Sequence, residues 1–211
     1  MKINNYSLKV KGKKLVENCD LNFYPGQINH IVGKNGVGKS QLAKDFMLNN
    51  SRNIPKSISD NTTLISSFSN IPNDITKEFL LVLLKAKFPN SSPTFSEINK
   101  ILKIEEIPSK VLIKNMSDGQ KQKLKLLSFL LEDNSLIILD EITNALDKKT
   151  VNEIYLFIND FIKNNPSKTI VNITHNLSDL SSIPGKYFIF KDYRIEEYLS
   201  KEEVINDYIN L

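Results

Sequence analysis

The sequence predicts an α/β protein whose core is a mostly parallel sheet, with antiparallel strands at the N-terminus and an inserted α-helical subdomain. Three observations carry that prediction. A glycine-rich run, GKNGVGKS from Gly33 to Ser40, lies between a short strand-like stretch and a helix-like one. SLIILDE at 135–141 is a short run of β-branched and Leu residues, as a strand covered on both faces is, and TIVNIT at 169–174 reads as a further strand. Between the glycine run and SLIILDE, residues 69–123 read as helices, which places a helical lobe inside the alternation of strand and helix.

The elements follow in order. Over residues 1–24, Leu8 and Val10, then Leu15, Val16, Leu21 and Phe23, alternate loosely with polar residues about a turn-like KGKK at 11–14, the pattern of antiparallel strands. PGQ at 25–27 is a turn, and INHIV at 28–32 is a strand that stops at Gly33. Leu42, Ala43, Phe46 and Met47 then recur at helical spacing. Residues 49–63 are polar and breaker-rich, an irregular loop ahead of Leu64 and Ile65. Helices are expected near 74–87 and 96–106, bounded by Pro72, Pro89, Pro93 and Pro108, and again at 120–132 and 148–164. YFIF at 187–190 is a final strand.

Bulk properties exclude several classes. A chain of 211 residues suits one domain with a small lobe, and 40% hydrophobic with 25% charged residues is ordinary for a soluble globular protein. The net charge of +4 is spread along the chain and gives no special push toward nucleic acid. Cys19 has no partner for an internal disulfide, the start MKINNYSLKV lacks a secretory apolar stretch, and the longest apolar run, FLLVLL at 79–84, falls far short of the roughly 20 residues of a membrane span. A cytoplasmic setting is expected, with any membrane role borrowed from a partner.

GKNGVGKS matches G-x-x-x-x-G-K-[ST] at Gly33, Gly38, Lys39 and Ser40. Glycines let the backbone of Gly33, Lys34, Asn35, Gly36, Val37 and Gly38 curl so that N–H groups face phosphates, and the helix that follows from Gln41 points its partly positive end the same way. Lys39 supplies a charge to the outer phosphates, and the Ser40 hydroxyl suits Mg2+. LIILDE then delivers an acidic pair to the carboxyl end of a buried strand, with Asp140 placed to hold Mg2+ through water and Glu141 to polarise an attacking water. MSDGQ at 116–120 fits a capping box, Ser117 with Gln120 three residues on.

Taken in order, the glycine loop, helical lobe, MSDGQ, LIILDE, NALD at 144–147 and His175 within NITHN resemble the nucleotide-binding subunit of an ATP-binding cassette transporter, a P-loop NTPase, over nearly the whole chain. The resemblance implies one ATPase domain over 1–211, with a RecA-like core and antiparallel strands over 1–68 and 124–211 and the helical subdomain over 69–123. It implies ATP and Mg2+ as ligands, and a homodimer or a heterodimer with another such subunit. In that pairing Ser117, Asp118, Gly119 and Gln120, standing where the family carries LSGGQ, contact ATP held by the opposite copy. It implies Asp147 as the residue by which each site senses its twin and His175 as the switch histidine on the γ-phosphate, joining Glu141 and Lys39 in catalysis. Its partners would be integral membrane permease subunits on the cytoplasmic face of the membrane, with no nucleic acid, and FLLVLL is a candidate docking segment. His30 matches no motif and reads as structural.

Four positions depart from the family pattern. Asp118 replaces a glycine and sets a negative charge near a docking phosphate. The glutamine at the entry to the helical lobe is absent from LISSFSNIP, leaving Ser67 or Ser69 as substitutes. No aromatic residue aligns for stacking on adenine, where Val10 or Lys11 falls and Tyr6 is a poor candidate, and Ile142 replaces a proline. Two other readings stay open at this stage: a soluble ATPase acting on DNA or ribosomes, and an ATP-binding module with weak hydrolysis.

Overall fold

In the computed structural model, which describes residues 1–210, the N-terminal alternation folds as an antiparallel ribbon of β1 (Lys2–Val10) and β2 (Lys13–Asn22). β3 (Ile28–Val32), buried at every residue, leads through the glycine run into α1 (Lys39–Leu48). A single helical turn, α2 (Lys56–Ser59), precedes β4 (Thr62–Ile65). The insertion holds α3 (Lys77–Lys87), α4 (Ser92–Ile101), 3-10 turns at Ile104–Glu106 and Ile113–Asn115, and α5 (Asp118–Leu130). Then come β5 (Leu136–Asp140), α6 (Lys148–Asn164), β6 (Thr169–Thr174), α7 (Leu177–Ser182), β7 (Gly185–Lys191), β8 (Arg194–Tyr198) and α8 (Lys201–Ile209).

The chain divides into two compact units. The first is Met1–Leu64, Asn134–Glu141 and everything from Asn159 onward; the second is Ile65–Asp133 with Ile142–Ile158. In the first, six strands form one sheet in the order β4-β5-β6-β3-β7-β8. β3 pairs in parallel with β6 and β7, β5 pairs in parallel with β6, and β8 pairs antiparallel with β7. Parallel strands need both faces covered. One face packs Ile31, Ile138, Val171, Ile173, Phe188 and Phe190 with Leu42, Ala43 and Phe46 of α1 and with Tyr6, Leu8, Val16, Leu21 and Phe23 of the ribbon. On a smaller cluster, Val32 and Ile189 pack with Leu180 of α7 and Val204 of α8. Each such side chain, fully buried, contributes about 1.5–3 kcal/mol.

His30 is structural, as its lack of a motif suggests. Its Nε2 faces the Ile183 carbonyl at 2.8 Å, its Nδ1 meets Asn172 Nδ2 at 3.2 Å, and its ring stacks on Tyr187. The neutral tautomer with the proton on Nε2 satisfies both contacts. Burial pushes the imidazole pKa down to about 4.

In the second unit, Thr76 caps α3 by accepting the Phe79 N–H, and Lys85 and Lys87 occupy its last turn, where cations favour the helix dipole. Lys77 turns inward, and its ammonium reaches the carbonyls of Ile104, Glu105 and Ile107. That contact closes the chain between α4 and α5 onto the start of α3.

The structure adjusts several boundaries. The loop at 49–63 is interrupted by α2, because Pro55 accepts the Ile58 and Ser59 N–H groups and begins a turn of helix. α4 begins at Ser92, ahead of Pro93, since the first helical turn tolerates a residue without an N–H. It ends at Ile101, with Leu102 as its C-cap, leaving 104–106 as 3-10 turn. α7, β8 and α8 were not anticipated.

Candidate functional site

Parallel pairing brings the carboxyl ends of β3, β6 and β5 to one edge of the sheet. Val32 stands opposite Thr174, and Ile173 opposite Asp140. The glycine loop after β3, the acidic pair at the end of β5 and His175 just beyond β6 therefore open side by side, at the edge where parallel sheets bind ligands. Asn35, Gly36, Gly38, Lys39, Ser40, Gln41, Glu141 and His175 line a cleft of about 450 Å3. A larger hollow of about 800 Å3 lies in the second unit near Lys85, Phe88 and Phe95. Its lining includes Lys100 and Lys103 but no part of the glycine loop or the acidic pair, so size does not identify the site.

The loop is built to receive an anion. Gly38 is the N-cap of α1 at φ 120°, a conformation that only glycine adopts easily, and a Cβ there would sit 3.1 Å from Leu15 Cδ1 beneath it. No side chain caps α1, and the Gln41 N–H turns back to the Gly38 carbonyl at 3.0 Å, so the Lys39 and Ser40 N–H groups are the first-turn donors left to face a ligand. Lys39, only 5% exposed, folds back and donates to the carbonyls of Gly33 at 2.6 Å and Lys34 at 3.1 Å. Val37 closes the loop by donating its N–H to Lys34 at 3.3 Å. Gly33, Lys34 and Val37 thus shape the loop without lining the cleft. Burial lowers the Lys39 pKa, and the nearby Glu141 and Asp140 carboxylates oppose that shift.

Asp140 is 3% exposed, and burial raises its pKa against the hydrogen bond from Ser40. Its Oδ1 is buried without a hydrogen-bond partner. Such an atom costs about 1–3 kcal/mol unless something engages it. Glu141 follows in the left-handed region at φ 54°, strained for a non-glycine residue, and its N–H is held by the Ile173 carbonyl at 2.9 Å. This backbone aims its Oε1 at His175 Nδ1, 2.9 Å away. A carboxylate and an imidazole thus meet at the mouth of a phosphate-shaped loop.

In the second unit the capping box exists in both halves. Ser117 Oγ accepts the Gln120 N–H at 3.3 Å, and Gln120 Oε1 accepts the Ser117 N–H at 3.1 Å. Asp118 projects outward with 77% of its side chain exposed, and Lys121 stands 3.7 Å from it. Asp147 accepts from the Thr150 N–H at 3.0 Å and from its hydroxyl at 2.7 Å. None of these residues lines the cleft.

Two of the departures gain a physical account. Tyr6 is wholly buried, with its hydroxyl donated to Asp45, so it is removed as an adenine platform. At the lobe entry, the Ser69 hydroxyl accepts the Ser66 N–H at 3.1 Å and so closes a local turn, while Lys125 donates to the Ser66 carbonyl at 3.0 Å. Lys121, Lys125 and Thr150 were invisible in the motifs, because each acts through a contact distant in sequence or through a pattern shared by any solvated helix face.

Comparison with known proteins decides the family. The family model described as ABC transporter matches residues 16–144. A protein of Bacillus subtilis strain 168 named "Probable peptide export ATP-binding protein YydI" is 60% identical over 210 residues, covering 100% of both chains. The chain belongs to the ABC transporter family. It is similar at 28% identity over 92% of its length to the ATP-binding protein Uup of Buchnera aphidicola subsp. Acyrthosiphon pisum strain APS, of which it spans 36%. The solved structure titled "Structure of ATP binding subunit of ABC transporter" shares the fold at a TM-score of 0.76 and 17% identity, covering 98% of this chain and 93% of that one. The mostly parallel P-loop architecture expected of an ABC transporter ATPase is therefore present. The protein is an ATP-binding subunit and an ATPase of this family, and a soluble role on DNA or ribosomes is not favoured. No described helix is long and apolar enough to cross a membrane.

Proposed function

We propose that residues 33–41 hold the phosphates of ATP, that Ser40 and Asp140 hold Mg2+ (Asp140 through water), and that Glu141, His175 and Lys39 carry out hydrolysis. The supporting observation is the buried, unpartnered Asp140 Oδ1 beside the Ser40 hydroxyl, a donor set of hard oxygens that fits a magnesium ion. When bound, the ion supplies charge neutralisation at the phosphate oxygens. Lys39 adds a buried cation on the same side. Glu141 takes the proton of the attacking water, and His175, bonded to the same carboxylate, holds it in orientation and reaches the γ-phosphate.

In this reading residues 1–211 act as one ATPase domain, 1–68 and 124–211 as core and 69–123 as helical subdomain. Two ATPase subunits, identical or not, close head to tail, and Ser117, Asp118, Gly119 and Gln120 of one meet the γ-phosphate held by the other, with Asp147 reporting between sites. The N-terminus of α5, stiffened by its capping box, supplies the attraction. The chain works on the cytoplasmic face of the membrane, bound to permease subunits, without nucleic acid. The full-length 60% likeness to a peptide export protein supports peptide export as the transported class. Phe79, Val82 and Leu83, adjacent on an exposed face of α3, suit docking to the permease.

Glu141→Gln tests the reading. Steady-state ATP turnover is expected to fall about 10²- to 10⁴-fold, the range of general-base catalysis, while ATP-bound dimers accumulate in sedimentation velocity runs. Turnover equal to wild type would remove Glu141 from this role.

A further inference from the structure

Gly119 is the second residue of α5, and its backbone is ordinary helix, so conformation does not explain the glycine. Packing does. A Cβ at this position would lie 2.7 Å from Thr150 Oγ1 and 2.8 Å from Thr150 Cγ2, closer than side chains approach. Thr150 is held in place by the loop before α6: its hydroxyl and its N–H both donate to the Asp147 carboxylate. The same bonds hold the Asp147 carboxyl below the usual range. One helical turn further along both helices, Lys123 of α5 donates to Glu153 of α6 at 2.6 Å, with both side chains largely buried. The start of α5 and the start of α6 are thus fastened at two successive levels.

We propose that Thr150 is a positioning residue for the ATPase. It seats the 117–120 turn against the Asp147 loop, so that the two segments one copy offers to the nucleotide of the other move as one body. This rests on the reading that the 117–120 turn meets nucleotide held by a second copy. Thr150 lies outside the phosphate loop, so nucleotide binding by a single chain is independent of it. Its loss falls on ATP-driven association and on turnover.

The test uses full-length Glu141→Gln protein. ATP-driven association is followed by sedimentation, and affinity of the single chain for a fluorescent ATP analogue is measured beside it. Thr150→Val keeps the shape and removes the hydroxyl, and is expected to weaken association about tenfold, the scale of one hydrogen bond to a charged acceptor, with analogue affinity unchanged. Thr150→Ser restores the hydroxyl and most of the association. Gly119→Ala alone drives a methyl into Thr150 and abolishes association. Adding Thr150→Ala leaves only a Cβ at 3.3 Å and recovers part of it. If Glu141→Gln itself fails to associate with ATP, the two-copy reading falls and the role of Thr150 falls with it. If that parent associates, then the role of Thr150 alone is overturned by Thr150→Val matching the parent, by equal loss of analogue affinity, or by no recovery in the Gly119→Ala, Thr150→Ala pair.

Discussion

Asp118 is the residue whose chemistry runs most directly against its proposed setting. It places a carboxylate in the first turn of α5, where it favours the helix dipole yet repels a phosphate docking on the same end. Lys121 stands 3.7 Å away and offsets part of that charge, while the high exposure of Asp118 keeps the field in water and weakens both effects. Asp118→Gly is therefore expected to strengthen ATP-driven association modestly, by up to about fivefold, corresponding to ~1 kcal/mol or less. Lys121→Met is expected to weaken it by a similar factor. Both changes should shrink between 0.05 and 0.5 M salt, because exposed charges are screened beyond a Debye length that falls from about 14 to about 4 Å over that range. Sedimentation at two ionic strengths checks this, and a salt-independent effect would move Asp118 out of the electrostatic role.

Among the elements, β3 and β7 enclose the group with the clearest pH signature. His30 is neutral and fully hydrogen-bonded when folded, with a pKa near 4, against 6.5 for the free side chain. Above pH 6.5 both states bind no proton there, and this group contributes no pH dependence. Below it the unfolded chain takes up a proton that the folded chain refuses, so stability falls as pH drops toward 4. At pH 5 the loss is about 2 kcal/mol. His30→Phe should be the less stable protein at pH 7, since the Ile183 carbonyl loses its donor, and the gap should narrow by roughly that amount at pH 5. Urea unfolding midpoints at the two pH values measure this, and a constant gap would contradict it. The elements differ in how far their sequences revealed them. β3, β6 and α6 could be read to the residue, since INHIV and TIVNIT are buried throughout and α6 repeats its apolar residues over many turns. β8 and α8 could not, because β8 buries only Ile195 and α8 is a nine-residue helix that fully buries only Val204, with Ile205 and Tyr208 packed beside it, too short a pattern to stand out. Within the site, Lys39, Ser40, Asp140 and Glu141 stood at fixed motif spacings. The Thr150 contact with Gly119 did not, because it exists only once two helices 31 residues apart are packed together.

For the whole molecule, the proposed chemistry is divided between two parts of the chain. The groups around the cleft come from the glycine loop, the end of β5 and the residue after β6, all in the first unit, whereas Ser117, Gly119, Gln120 and Asp147 belong to the second. On the proposed reading a single chain has what is needed to hold nucleotide, while the turn that would meet the γ-phosphate arrives from a second copy. Association must then limit turnover when the protein is dilute. Well below the dimer dissociation constant the dimeric fraction grows in proportion to total protein, so ATPase activity per mole of chain should rise about linearly with concentration before reaching a plateau. Nucleotide affinity measured with a fluorescent analogue should stay flat over the same range. Asp140→Asn sharpens the comparison. It removes charge from the buried oxygen that suits magnesium, and turnover is expected to fall at every concentration without restoring proportionality to a plateau. Wild-type activity per chain that is constant across a hundredfold dilution through the dissociation constant would mean that one copy hydrolyses ATP alone, and the two-copy site would have to be abandoned.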